Sequence, residues 1–241
     1  MQQKIILAST STLFGQTYLA YLAPVLKAHF ETIKEIIFIP YARPGGISHD
    51  EYTGRAAAFF EQLGIRIKGL HQFESPVQAL KEAEGFFTGG GNTFVLLNQL
   101  QETGTLEVLR KEVQNGKPYL GASAGSNIAG LTIHTTNDMP IVYPQGFEAM
   151  GLVPFNLNPH YPLTGPPTEH MGETRETRIK EFHSQSNIPV VGLREGSWIR
   201  VSGASLYLEG NLSARIFEKD REPYELEPLQ ANRQQTLRFA G

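Results

Sequence analysis

A serine flanked by glycines is the residue of this chain best suited to chemistry. The stretch Gly121-Ala122-Ser123-Ala124-Gly125 follows the apolar run Pro118-Tyr119-Leu120 and precedes a segment that can form a helix. A G-x-S-x-G sequence between a strand and a helix is typical of a nucleophile elbow, a sharp turn that exposes the serine hydroxyl. Glycine on either side permits the tight backbone, because a Cβ would crowd it. The pattern predicts a nucleophile for acyl transfer at Ser123.

A second glycine-rich stretch could hold the negative charge that develops when such a serine attacks a carbonyl group. Gly89-Gly90-Gly91-Asn92-Thr93 follows a predicted strand and precedes a predicted helix, whose first N–H groups have no partner within the helix. Dinucleotide binding is the weaker interpretation, because G-x-G-x-x-G requires a third glycine where this chain has Phe94. We predict an oxyanion hole in which the amide of Gly90 or Gly91 acts together with the amide of Ala124.

A serine hydroxyl needs a base, and the chain offers seven histidines. Four of them are expected to be packing or surface residues: His29, His49, His71 and His183. His134 is near the elbow in sequence, which is a poor guide to contact, and His170 lies in a proline-rich stretch. His160 follows an extended segment, residues 152–159, that is stiffened at its end by Pro159. Spacing alone makes His160 a candidate, although a histidine after a strand is more often structural.

The pattern of apolar residues indicates the elements that must position these groups. Predicted strands lie at residues 4–8, 35–39, 65–70, 85–88 and 118–120, with helical patterns between them. Such alternation predicts an α/β fold of three layers, in which helices cover both faces of a mainly parallel sheet. Residues 197–202 and 205–208 are expected to add a C-terminal β-hairpin that turns at Gly203-Ala204. Functional groups gather beyond the carboxyl ends of the strands in sheets of this kind.

Composition limits the classes of function. A chain of 241 residues is long enough for one sizeable domain, and we predict a single domain over residues 1–241. With 21 basic and 24 acidic residues the formal charge is −3, which argues against a nucleic-acid partner. There is no cysteine and no apolar run near the ~18 residues of a membrane span, so we expect no membrane partner and a cytoplasmic location. No metal-binding motif is present, and neither a metal nor another cofactor is expected.

Several further motifs occur in the order and spacing found in one known family. The sequence resembles the peptidase E family, serine peptidases whose fold is similar to that of class I glutamine amidotransferases. The resemblance covers nearly the whole chain. Besides the elbow and the glycine-rich stretch, it rests on these motifs: Ser11-Thr12-Leu13, Asp50-Glu51-Tyr52-Thr53, Thr135-Thr136-Asn137-Asp138-Met139-Pro140-Ile141-Val142, Asn158-Pro159-His160, Gly172-Glu173-Thr174-Arg175 and Glu195-Gly196-Ser197-Trp198-Ile199.

The resemblance implies a serine dipeptidase that hydrolyses short peptides after an N-terminal aspartate. It implies Ser123 as the nucleophile and His160 as the base. It leaves two carboxylates, Asp138 and Glu195, as alternatives for orienting the imidazole, and either is chemically suitable. It implies that Arg175 pairs with the side-chain carboxylate of the substrate, since a guanidinium group makes bidentate bonds to carboxylates.

One segment departs from the family pattern and leaves the substrate more open than the nucleophile. The stretch between His160 and Arg175 is slightly longer than expected and contains Gly165-Pro166-Pro167. Alternatives are a serine hydrolase of the same fold with another specificity, such as an isoaspartyl or cyanophycin-type peptidase or an esterase, and a non-catalytic binding protein. The sequence does not indicate an oligomeric state.

Overall fold

A computed structural model of the chain describes residues 2–163 and 173–229. Gly165-Pro166-Pro167, His170 and Gly172, which the sequence analysis singled out, lie outside these residues. The described strands are β1 (Lys4–Ala8), β2 (Glu35–Ile39), β3 (Arg66–Gly69), β4 (Phe86–Thr88), β5 (Tyr119–Ala122), β6 (Asn156–Pro159), β7 (Val190–Leu193), β8 (Ser197–Ser202), β9 (Ser205–Gly210), β10 (Ala214–Phe217) and β11 (Tyr224–Leu226). The described α-helices are α1 (Ala23–His29), α2 (His49–Phe60), α3 (Pro76–Glu82), α4 (Thr93–Glu102), α5 (Leu106–Gln114), α6 (Ala124–Asn127) and α7 (Arg175–Gln185).

The larger of two sheets has seven strands in the order β3-β2-β4-β5-β1-β8-β9. The first five of these run parallel to one another. Strand β8 pairs antiparallel with β1, placing Leu7 opposite Ile199, and β9 pairs antiparallel with β8. The predicted hairpin is therefore present, and it extends the main sheet beyond β1 rather than forming a separate addition.

Helices cover both faces of this sheet, as the sequence predicts. Strand residues that alternate along β1 and β2, such as Ile6 and Phe38, pack with α1 and α2 in one hydrophobic cluster. Their neighbours, such as Leu7 and Ile37, face α3, α4, α5 and α6 in another cluster. Because successive side chains of a strand point to opposite faces, nearly continuous apolar strands are what a sheet buried on both sides requires.

A second sheet of four strands, in the order β11-β10-β7-β6, was not predicted from the sequence. Strands β6 and β7 are parallel, and β10 and β11 continue the sheet antiparallel. Arg194, which follows β7, is almost fully buried and forms an ion pair of 2.6 Å with Glu225 on β11. The same guanidinium group donates to the carbonyl oxygen of Pro162 at 3.3 Å. These contacts tie the second sheet to the segment that follows His160.

Helix α2 begins with a sequence signature that explains its start. The Ser48 hydroxyl accepts the N–H of Glu51 at 3.1 Å, and the Glu51 carboxylate accepts the N–H of Ser48 at 2.8 Å. This reciprocal capping box satisfies two N–H groups that the helix itself leaves unpaired. In residues 2–163 and 173–229, no helix combines the length and apolar character needed to cross a membrane.

Candidate active site

Ser123 lies at a sharp turn between β5 and α6. Its backbone has φ 53° and ψ −109°, a region that non-glycine residues seldom adopt and that costs roughly 1–3 kcal/mol. The Ser123 N–H donates to the carbonyl oxygen of Ala8 at 3.1 Å, and the Ser126 hydroxyl donates to the same oxygen at 2.7 Å. The end of β1 therefore holds the turn, which has the strained geometry expected of a nucleophile elbow.

The glycines on either side of Ser123 are required by close packing. A Cβ at Gly121 would lie 2.7 Å from the carbonyl carbon of Gly125, and a Cβ at Gly125 would lie 2.8 Å from the carbonyl carbon of Thr88. Real Cβ atoms do not approach backbone so closely. Strands β4 and β5 can thus approach helix α6 at the elbow only because these side chains are absent.

His160 follows the last residue of β6 and contacts the serine. Its Nε2 lies 2.9 Å from the Ser123 hydroxyl oxygen, and its Nδ1 lies 2.6 Å from Oε1 of Glu195. An ionised carboxylate accepts hydrogen bonds and cannot donate them, so Nδ1 carries the proton toward Glu195. In the neutral ring Nε2 then accepts the Ser123 O–H, which is the tautomer that a base for serine requires.

Of the two carboxylates that the sequence left as alternatives, the structure brings Glu195 to His160 and does not bring Asp138 there. Both ring nitrogens of His160 are already bonded, to Glu195 and Ser123. Asp138 Oδ2 instead accepts the N–H of Thr93 at 2.7 Å, the Thr93 hydroxyl at 2.5 Å and the Thr136 hydroxyl at 3.0 Å. Thr93 is the first residue of α4, so this carboxylate stabilises the positive end of that helix.

The predicted oxyanion loop lies beside the nucleophile. A Cβ at Gly90 would lie 3.1 Å from the Cβ of Ser123, so this glycine faces the serine. Among the described residues the N–H groups of Gly90 and Gly91 have no hydrogen-bond partner. The N–H of Ala124, the first residue of α6, has no acceptor within the helix. Of these amides, those of Gly90 and Ala124 belong to residues that lie directly beside Ser123.

Three contacts hold the shape of this loop. The buried Tyr52 hydroxyl donates to the carbonyl oxygen of Gly90 at 3.1 Å. The N–H of Asn92 donates to the carbonyl oxygen of Ala42 at 2.7 Å, and the Asn92 side chain caps α4 by accepting the N–H of Val95 at 3.1 Å. This contact of Tyr52 was not predicted from the sequence, although the D-E-Y-T motif that contains Tyr52 was the available signal.

Arg175 is the first residue of α7 and lies close to the base. Its Nη1 donates to the carbonyl oxygen of Pro159 at 3.1 Å and also to the carbonyl oxygen of His160. Partial burial lowers the pKa of Arg175, while the nearby Tyr161 and Glu195 act in the opposite direction. Within the described part of the chain Nε and Nη2 have no protein partner, so two N–H-bearing nitrogens remain for a ligand.

The remaining described histidines bond elsewhere. His29 is buried, lies 3.2 Å from the carbonyl oxygen of Tyr119, and has its pKa lowered to about 3, chiefly by burial. The ring nitrogens of the others have these partners: His71 has Asp50, His134 has Thr132 and His183 has the carbonyl oxygen of Ile188. His49 packs against the ring of His71. None of these contacts involves Ser123.

A mainly parallel α/β sheet with a serine–histidine–carboxylate chain beyond its strand ends defines the class of serine hydrolases. The chain belongs to peptidase family S51, whose sequence model matches residues 5–208. The peptidase E of Streptomyces coelicolor is 45% identical over 222 residues, which cover 92% of this chain and 90% of that protein. A probable alpha-aspartyl dipeptidase of Drosophila melanogaster is 44% identical over 230 residues, covering 94% and 95% of the two chains.

Solved structures agree on the fold. A putative peptidase E from Listeria monocytogenes superimposes with a TM-score of 0.65 at 22% identity, over 87% of this chain and 99% of that one. A peptidase from an acI-B1 actinobacterium gives a TM-score of 0.71 at 17% identity, over 99% and 98%. The predicted fold class, family and peptidase class are confirmed.

The elbow packing yields a stability prediction. Gly125→Ala should lower the free energy of unfolding by about 3 kcal/mol, because the added methyl group meets the Thr88 backbone, which cannot move aside without displacing β4. Gly54→Ala is the matched control, since its Cβ meets no atom within 4 Å in helix α2, and it should be neutral or stabilising by up to about 1 kcal/mol. Urea denaturation of both variants measures the difference. Equal stability of the two would contradict the close approach at the elbow.

Proposed function

We propose that this protein is a serine dipeptidase that hydrolyses the peptide bond after an N-terminal aspartate. The observation that carries the proposal is the hydrogen-bond chain from Ser123 through His160 to Glu195, with distances of 2.9 and 2.6 Å. Two relatives, named peptidase E and probable alpha-aspartyl dipeptidase, support the substrate class. In this proposal Ser123 is the nucleophile, His160 the general base and Glu195 the orienting carboxylate.

The first half of the reaction forms an ester. The Ser123 oxygen attacks the scissile carbonyl carbon while its proton passes to Nε2 of His160. Glu195 stabilises the imidazolium that results, because its carboxylate accepts the Nδ1–H bond. The C–N bond then breaks, and His160 gives the proton to the leaving amine. The aspartyl group remains as an ester on Ser123.

The second half releases aspartate. His160 removes a proton from a water molecule, whose oxygen attacks the ester carbonyl, and then returns the proton to the Ser123 oxygen. Both halves pass through a tetrahedral intermediate with a negative oxygen. The amides of Gly90 or Gly91 and of Ala124 bind this oxygen, and one such donor typically contributes about 2.7–4 kcal/mol to transition-state stabilisation.

Arg175 is proposed to recognise the side chain of the substrate. Its Nη1 is bonded to the backbone of Pro159 and His160, which leaves the fork of Nε and Nη2 for the aspartate carboxylate. Partial burial of the guanidinium strengthens this attraction, because charges interact more strongly away from water. In this proposal the recognised carboxylate lies beside the base.

A peptide panel tests the proposed activity. We expect cleavage of Asp-Leu and much slower cleavage of Glu-Leu, Ala-Leu, isoAsp-Leu and N-acetyl-Asp-Leu, with released leucine as the measured product. Ser123→Ala should lower kcat by about 10⁶-fold, as in other serine enzymes. Hydrolysis of isoAsp-Leu or of an ester in place of Asp-Leu would point to a serine hydrolase of other specificity. Activity that survives Ser123→Ala would overturn the mechanism.

Exchanging each carboxylate for its amide tests the orienting role. Glu195→Gln should lower kcat by about 10⁴-fold with KM little changed, because an amide can hold the wrong tautomer of His160. Asp138→Asn should act mainly on stability, by about 1 kcal/mol, since Asp138 bonds Thr93 and Thr136 at the start of α4. Steady-state kinetics and thermal denaturation of both variants make the comparison. A larger loss of kcat in Asp138→Asn would contradict the assignment.

Replacing Arg175 tests the specificity. Arg175→Ala should lower the ratio of kcat/KM for Asp-Leu to kcat/KM for Ala-Leu by at least ~10²-fold. The substitution removes charge-assisted hydrogen bonds of about 1.5–3 kcal/mol each, and only the aspartate side chain of Asp-Leu makes them. The substitution should also lower kcat for both peptides, since the guanidinium holds the backbone of His160. Arg178→Ala is the control, because Arg178 lies on the same helix and is largely exposed. An unchanged ratio in Arg175→Ala would refute the role.

A further inference from the structure

Ser9, directly after β1, joins the segments that carry the base and its carboxylate. The residue has no exposed surface. Its hydroxyl oxygen accepts the N–H of His160 at 2.9 Å, and the hydroxyl donates to the carbonyl oxygen of Leu193 at 2.8 Å. An amide N–H can only donate and a carbonyl oxygen can only accept, so these directions are fixed. One hydroxyl group thus bridges the ends of β6 and β7.

The backbone of His160 depends on this bridge. The ladder between β6 and β7 ends with the pair Pro159 and Leu193, so His160 lies just beyond it and its N–H has no strand partner. Its φ of 54° is in the left-handed region, which costs energy for a residue with a Cβ. The Ser9 oxygen supplies the acceptor that keeps the N–H satisfied in this conformation. Without this acceptor, the His160 backbone is expected to rotate toward a negative φ, and the imidazole would move with it.

Hydrogen bonds to Ser9 also hold the backbone on both sides of Glu195. Leu193, which receives the Ser9 hydroxyl, precedes Glu195 by two positions, and it also receives the N–H of Tyr161 at 3.1 Å. On the far side, the N–H of Ser9 donates to the carbonyl oxygen of Ser197 at 3.2 Å. Ser9 therefore brackets the turn that carries Glu195 while it holds the backbone of His160.

We infer that Ser9 is a positioning residue, whose hydroxyl sets the distance between the His160 imidazole and both of its partners, Glu195 and Ser123. The inference rests on the proposed function of these three residues. Ser9 touches neither the substrate nor the reacting atoms, and it acts through the backbone of His160 and Leu193. A displacement of about 1 Å in such a group can cost about 10²-fold in rate.

The test compares two serines that are buried alike. Ser197 also has no exposed surface, and its hydroxyl likewise donates to one carbonyl oxygen and accepts one N–H, both of Leu212. Ser9→Ala and Ser197→Ala therefore remove equivalent groups and should lower the melting temperature by similar amounts. Ser9→Ala should also lower kcat for Asp-Leu by about 10²-fold with KM within about twofold. Ser197→Ala should keep kcat, because it removes only the hydroxyl bonded to Leu212 and leaves the Ser197 carbonyl oxygen that receives the Ser9 N–H.

A spectroscopic measurement reads the geometry without any substrate. The short bond from His160 Nδ1–H to Glu195 should give a low-field proton resonance in the wild-type protein, which Glu195→Gln removes and so identifies. Ser9→Ala should shift this resonance or abolish it, and Ser197→Ala should leave it in place. This measurement uses no peptide, so its outcome is independent of the peptide panel and of the Ser123→Ala kinetics. A negative result in those two experiments would contradict the proposed function and not the positioning role of Ser9.

Two results would overturn the inference. One is a Ser9→Ala protein with wild-type kcat and an unchanged resonance, and the other is an equal loss of kcat in Ser197→Ala. Should Ser9→Ala not fold, Ser9→Cys takes its place, because a thiol is close in size and a weaker acceptor. It should show an intermediate loss of kcat, and an unchanged kcat in this variant would equally contradict the inference.

Discussion

The site depends on the carboxyl end of β1, where the backbone of Ala8 and Ser9 meets three separate segments. Strand β1 pairs with β5 on one side and with β8 on the other. Because β5 is parallel, its carboxyl end, followed by Ser123, lies beside the end of β1. Because β8 is antiparallel, its amino end, preceded by Glu195, lies at the same edge. A hydrogen-bonded sheet register thus determines the distance between nucleophile and carboxylate.

The second sheet supplies the base to the same edge. Strand β6 ends at Pro159, opposite Leu193 at the end of β7, and the Ser9 hydroxyl after β1 bonds both the N–H of His160 and the carbonyl oxygen of Leu193. The ion pair between the buried Arg194 guanidinium and the more exposed Glu225 carboxylate links the end of β7 to β11 behind this turn. Breaking this pair would be destabilising, because the buried Arg194 charge would lose its partner. The position of His160 therefore depends on strands that contribute no group to the chemistry.

Much of the fold could be predicted because its signals are local. The bounds of β1, β2 and β7 follow from short apolar runs, and the elbow at Ser123 follows from glycines within two residues of it. The second sheet could not be found in the same way. Strand β11 is three residues long and has Glu225 at its centre, a residue that disfavours strands in water and is stabilised here by Arg194. The prediction of a single domain stays a prediction.

The same difference between local and long-range signals applies to the site residues. Ser123 and the loop of Gly90 and Gly91 are defined by neighbours in sequence, and both were predicted from the residues themselves. His160 and the choice between Glu195 and Asp138 depend on contacts between residues 35 or more positions apart, which spacing does not encode. Both carboxylates are chemically suited to orient an imidazole, so only the three-dimensional pairing separates them.

Two of the four non-glycine residues with positive φ in the described chain are the ones that must exchange a proton. Ser123 and His160 have φ of 53° and 54°, and each directly follows a strand. A side chain on a regular strand points to a face of the sheet, which is covered by helices here, and a left-handed turn at the strand end redirects it beyond the edge. Each strained N–H is satisfied by β1, through the Ala8 carbonyl oxygen for Ser123 and the Ser9 hydroxyl for His160. Strand β1 is buried from Ile5 to Ala8, so the strain that exposes the reacting groups is sustained by a strand that has little room to relax.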